Sequence, residues 1–142
     1  MRFEVNKVKI VVMVPCDYLE KVRMAVLDAG AGVIGNYTHC STSFSGIGTF
    51  KPNREANPFI GEANQLETVQ EERLEVMVQV SDVKKILSVI REVHPYEEPG
   101  IDIIPLLDEN AFQWKKLSIT IAFCIPLSVV EFNDKWFINF LI

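Results

Sequence analysis

From Lys7 to Val14 the side chains alternate, with Val8, Ile10, Val12 and Val14 on one face and Lys7, Lys9, Val11 and Met13 on the other. A period of two predicts a strand. Asp17, with Glu20 three residues on, then makes a capping-box pattern. Tyr18, Val22, Ala25, Val26 and Ala29 follow at helical spacing, and Gly30 or Gly32 ends that helix. Val33 to Phe44 reads as a second strand with small and hydroxyl residues mixed in. Residues 45 to 68 form a long connection dense in turn formers, among them Gly46, Gly48, Pro52, Asn53, Pro58 and Gly61. A connection of that length inside a compact domain is often functional. Arg73 to Val80 alternates most cleanly, with Leu74, Val76, Val78 and Val80 against Arg73, Glu75, Met77 and Gln79. Ser81 can cap a second helix whose core face is Val83, Ile86, Leu87 and Ile90. His94-Pro95 stops it, and residues 101–107 supply the last strand.

The order β-α-β-β-α-β is the split βαβ pattern of an α+β, ferredoxin-like sandwich. Right-handed crossovers put both helices on one face of a four-stranded antiparallel sheet. The other face then carries Val11, Met13, Met77 and Ile104, more apolar than a solvated face should be. A second subunit or the C-terminal tail is expected to cover it. The domain is expected to run from 1 to 108, followed by an apolar C-terminal extension, 109–142. Leu117 to Ile125 and Trp136 to Ile142 are strand candidates within that extension. The first run is cut by Pro126 and falls short of the roughly 20 residues a bilayer span needs, so sheet or interface material is expected and a membrane role is not.

Composition narrows the partners. The 142 residues are 49% hydrophobic and 23% charged, which suits one globular domain with a real core. A net charge of −5 provides no broad phosphate-binding surface, so nucleic acid is not an expected partner. Cys16, Cys40 and Cys124 are odd in number and widely spaced, with no CxxC or zinc-knuckle pattern. With no long apolar run at the N-terminus, a reducing cytoplasm is the expected location.

The densest chemistry lies in His94-Pro95-Tyr96-Glu97-Glu98-Pro99, where two prolines stiffen a segment holding an imidazole, a phenol and two carboxylates. One reading makes His94, Glu97 and Glu98 ligands of a divalent metal ion. The other is structural: His94 caps the second helix, Tyr96 packs inward, and the carboxylates bond backbone amides or basic side chains. His39 is a weaker metal candidate, because its neighbour Cys40 would point to the opposite face of a strand. Gly46-Ile47-Gly48-Thr49 could cradle a ligand with its amides, but no Walker lysine follows and no helix starts there. A thiol such as Cys16 needs a base beside it, and nothing in its flanks supplies one. No complete catalytic set is present, so the reading leans away from an enzyme.

Three separated pieces, Gly35-Asn36-Tyr37-Thr38-His39-Cys40-Ser41, then Gly46-Ile47-Gly48-Thr49-Phe50-Lys51-Pro52 with Ala56-Asn57-Pro58, and His94 to Pro99, occur in the order found in the NIF-three-like family. Residues 7 to about 107 resemble the inserted PII/CutA-like domain of that family and stand-alone short bacterial proteins related to it. The His-Pro-Tyr-Glu motif before a final strand is also similar to the CutA proteins. The resemblance implies a PII/CutA-like fold, self-association with a trimer favoured, and ligand binding at clefts between subunits. Its motifs mark His94, Tyr96, Glu97, Glu98, Gly46, Gly48 and Tyr37 as the ligand-binding set. Full-length NIF-three-like proteins carry a dinuclear metal site on their main domain. With only His39 and His94, this chain cannot rebuild it. The expected function is an oligomeric module that binds a small ligand or a divalent cation. The alternatives are a structural protein-interaction domain and a metal-dependent hydrolase assembled between subunits.

Overall fold

The computed structural model of the chain describes residues 4–112. Four strands, β1 (Lys7–Pro15), β2 (Ser41–Phe50), β3 (Glu67–Gln79) and β4 (Ile101–Leu106), form one antiparallel sheet in the order β2-β3-β1-β4. Two helices, α1 (Leu19–Asp28) and α2 (Val83–Val93), complete the ferredoxin-like β-α-β-β-α-β arrangement. The strand candidates beyond residue 112 lie outside the described residues.

The alternation in β1 does what its period requires. Val8, Ile10, Val12 and Val14 join Leu74, Val76 and Val78 of β3 under Val22 and Val26 of α1 and Ile86 and Ile90 of α2, all buried. Each such side chain contributes about 1.5–3 kcal/mol by leaving water. Helix α1 ends in a Schellman turn: Gly30 adopts φ +105°, Ala31 N–H bonds the Val26 carbonyl and Gly30 N–H that of Leu27.

Three local expectations change. Both helices are entered through a 3-10 turn, Cys16–Tyr18 and Val80–Asp82, and neither Asp17 nor Ser81 provides a side-chain cap. Strand β2 starts at Ser41 rather than Val33 and runs on to Phe50, paired with β3 from Val76 to Glu67. The connection is thereby shortened to residues 51–66 at the tip of a long hairpin. Lastly, the helix-free face is only partly apolar. Lys9 and Arg73 each lie 2.8 Å from the Glu75 carboxylate, which stands directly opposite a buried Val11. Met13 and Met77 are half-buried, while Ile104 and Phe44 are exposed.

Candidate functional site

Helix α2 stops because residue 94 precedes a proline. That position is driven out of the helical region, and His94 sits at φ −73°, ψ 136° while its amide still bonds the Ile90 carbonyl. The turn throws the imidazole back against the end of β1, where it is buried. Its Nε2 lies 2.8 Å from the Met13 carbonyl oxygen, and its Nδ1 lies 3.0 Å from the Tyr96 amide nitrogen. A carbonyl can only accept and an amide can only donate, so Nε2 carries the proton and Nδ1 offers its lone pair. The ring is neutral, and burial pushes its pKa below the ordinary value of 6.5. Both nitrogens are engaged by backbone, so a metal ion at His94 would have to displace one of these bonds. Among the described residues no three His, Cys, Asp or Glu side chains come together to hold a metal ion.

The same turn packs Tyr96 beneath the hairpin tip. Its ring lies 6.3 Å from Phe50 and 6.2 Å from Phe59, centre to centre, and Phe59 meets Tyr18 edge-on at 5.6 Å. The Tyr96 hydroxyl oxygen is shielded from solvent without a well-formed hydrogen bond. Burial, and then the Glu71 carboxylate that faces it, push its pKa up to about 12. Glu97 reaches the other way: its Oε1 accepts the Asn57 amide at 2.9 Å and fastens the 51–66 connection to the turn.

Between these walls lies an open cleft of about 400 Å³. Phe50, Pro52, Pro58, Phe59 and Met13 give it an apolar body; Glu71, Glu97 and Glu98 give it an acidic edge. Lys51 is its one basic lining residue among those described. Of the residues marked by the sequence, the structure brings Gly48, Tyr96, Glu97 and Glu98 to this cleft, with His94 behind it as the support of the turn. Gly46 pairs with Glu71 in the hairpin without lining the cleft. Tyr37 and His39 are not brought here. They sit in the 33–40 segment toward the opposite end of the sheet, which is anchored by Gly32 N–H to the Met77 carbonyl. There Tyr37 is exposed, and His39, at φ +60°, lies 3.1 Å from Asp28 of α1.

Glu71 is the residue the sequence did not single out. It stands in the charged run Gln70-Glu71-Glu72-Arg73, which looks like the solvated edge of a loop. The available signal is its register: Glu71 pairs with Gly46, and the side-chain-free position 48, diagonally across, leaves its carboxylate room to lie across the hairpin.

No protein-family model matches the chain. A Bacillus subtilis protein named GTP cyclohydrolase 1 type 2 homolog is 49% identical over 98 residues, 69% of this chain and 26% of that one. The crystal structure of a Bacillus cereus protein related to NIF3 superposes with a TM-score of 0.63 at 42% identity, covering 74% of this chain and 27% of the other. The periplasmic divalent cation tolerance protein CutA from Archaeoglobus fulgidus superposes with a TM-score of 0.53 at 18% identity, covering 70% and 83%. The fold is therefore that of the CutA/PII-like ferredoxin-like domains. Within that class, the chain is homologous to a segment of the NIF-three-like proteins, as its three motifs suggested. It spans about a quarter of the length of the curated relatives it matches. No helix among the described residues is long and apolar enough to cross a membrane.

Proposed function

We propose that the chain is a non-catalytic, self-associating binding module whose ligand site is the cleft between the β2–β3 hairpin tip and the His94–Gly100 turn. The observation that carries this reading is the construction of the cleft. A buried imidazole fixes one wall, a carboxylate-to-amide bond ties the other wall to it, and the space between stays open. A turn needed only to connect α2 to β4 has no use for an apolar chamber with an acidic edge. Among the described residues, no cysteine, serine or histidine lines it. A divalent cation would meet single carboxylates at the cleft edge, with water completing its shell, rather than His94. Exposed, unpaired Cys16 suits a reducing compartment.

Self-association through the helix-free face is part of the same proposal, with a trimer favoured. Phe44 and Ile104 are exposed there beside half-buried Met13 and Met77. Light scattering of the full chain at tens of micromolar tests the assembly, and a monomer removes that part. The site is tested by titrating isotope-labelled protein with a mixed set of cationic, anionic and neutral small molecules and divalent salts. At least one should shift the amide signals of Gly48, Ile60, Tyr96 and Gly100 together. If no class of compound does so, the cleft is not a ligand site.

A further inference from the structure

We infer that the cleft selects an organic cation, a primary ammonium group joined to an apolar or aromatic body. The inference rests on the reading of the cleft as a ligand site and goes further by fixing the chemistry of what enters. Its polar groups are nearly all acceptors. The Glu71 carboxylate is acceptor-only when ionised. The Tyr96 hydroxyl is shielded from solvent and faced by Glu71, so it adds no free donor for a ligand. Glu97 has used Oε1 on the Asn57 amide and has its second oxygen to offer. Glu98 adds another carboxylate to the lining. Against these stand, among the described residues, the ammonium of exposed Lys51 and the neutral hydroxyl of Thr49.

A ligand that fits must therefore bring donors and positive charge. A phosphate or carboxylate would bring more acceptors to three carboxylates and meet repulsion. A bare metal ion would find oxygens but would leave the walls of Phe50, Phe59, Pro52, Pro58 and Met13 without a partner. An alkyl- or arylammonium satisfies both halves at once. Its N–H groups can reach Glu71, its charge can rest near the faces of Phe50, Phe59 and Tyr96, and its carbon body replaces water against the apolar wall. A volume of about 400 Å³ is ample for a body the size of one aromatic ring and a two-carbon tail.

The test uses the full chain with phenethylammonium chloride as the probe, followed by amide NMR signals and calorimetry. 2-Phenylethanol, 3-phenylpropionate, ATP and manganese chloride serve as comparison ligands. Phenethylammonium should bind with a Kd of about 1 mM or tighter and shift Gly48, Ile60, Tyr96 and Gly100. The alcohol should bind more weakly, and the carboxylate and ATP should leave these signals in place. Glu71→Gln, which keeps the size of the side chain, should weaken the ammonium about tenfold. Phe59→Ala should weaken it separately, with the spectrum otherwise dispersed as in the unaltered protein. If 3-phenylpropionate, ATP or manganese moves these signals and phenethylammonium does not, the ammonium assignment is overturned while the cleft remains a ligand site. Equal binding by Glu71→Gln overturns it as well. Silence from every probe overturns it and, once the wider set above is also silent, the reading of the cleft with it.

Discussion

Glu71 lies diagonally across the β2–β3 hairpin from Gly48, and its carboxylate occupies the place where a Cβ at position 48 would stand. Gly48 lies in extended backbone, so the glycine is required by this close approach and not by its own conformation. Its absent side chain lets an acidic group cross the hairpin and meet Tyr96 at the cleft. Gly48→Ala therefore separates binding from stability. The strand gains roughly 0.5 kcal/mol from reduced chain entropy, and the displaced carboxylate is the far end of a flexible side chain, so the melting temperature should not fall. Binding of phenethylammonium should weaken about fivefold, the equivalent of about 1 kcal/mol. A thermal melt and a titration on the same sample check both. Lower stability with unchanged binding would show that Glu71 acts elsewhere.

The imidazole of His94 makes stability depend on pH. Its folded pKa is depressed by burial, against the opposing pull of the Met13 carbonyl and Glu71. The unfolded chain thus binds a proton near the ordinary value of 6.5 while the folded chain resists it. This contribution is complete above that value and is lost as pH falls below it toward the folded pKa. Protonation would also place a hydrogen on Nδ1, directly against the Tyr96 amide. Urea unfolding should show stability declining from pH 7 to 5, with the slope in that window flattened in His94→Gln. That variant should be less stable at pH 7 by about 1–3 kcal/mol, the cost of leaving buried polar groups unpaired. An unchanged slope would mean that another group titrates there.

The core was legible because it is built from periods. Val8 to Val14 and Leu74 to Val78 alternate, and Ile86 and Ile90 stand four apart, which is what burial on one face requires. Strand β2 was misplaced because it lacks such a period. Ser41 and Ser43 face Arg23 of α1, which donates to both hydroxyls at 2.8 and 3.0 Å, and Gly46 and Gly48 carry no side chain. Pairing with β3, not hydrophobicity, makes this segment a strand. The His94–Pro99 turn announced itself by its prolines. Its partners could not be read because they lie far along the chain, with Asn57 bonded to Glu97 forty residues away.

Glu75 should give a second, more acidic limb to the same pH curve. Hydrogen bonds from Lys9 and Arg73 hold its carboxyl below the ordinary carboxylate value of 4.5. With a depressed folded pKa, its contribution is present above the unfolded value and disappears as pH falls through the folded one. Its side chain is 12% exposed, but Lys9 and Arg73 are each about 40% exposed, so screening limits the effect. Glu75→Gln should cost about 0.5–1 kcal/mol at pH 7, less at high salt, and should remove the acidic limb while leaving the His94 limb intact. Urea unfolding at pH 7, 5 and 3 separates the two, the first interval reading His94 and the second Glu75.

Glu97 should set how firmly the 51–66 connection closes over the cleft. Its bond to the Asn57 amide joins two segments otherwise held by ring contacts of Phe59 with Tyr18 and Tyr96. Glu97 is exposed, so the bond competes with water and is worth roughly 0.5–1.5 kcal/mol. Glu97→Ala should therefore leave the buried core undisturbed and raise hydrogen exchange at the Asn57 amide by about three- to tenfold, the ratio that such an energy corresponds to. Amides of β1 and α2 should exchange as before. Phenylalanine at 59 provides the contrast. Phe59→Ala removes a wall without cutting this bond, so it should affect binding more than exchange at Asn57. If Glu97→Ala leaves exchange at Asn57 unchanged, the connection is held by its aromatic contacts alone. The carboxylate would then be free in full to meet a ligand.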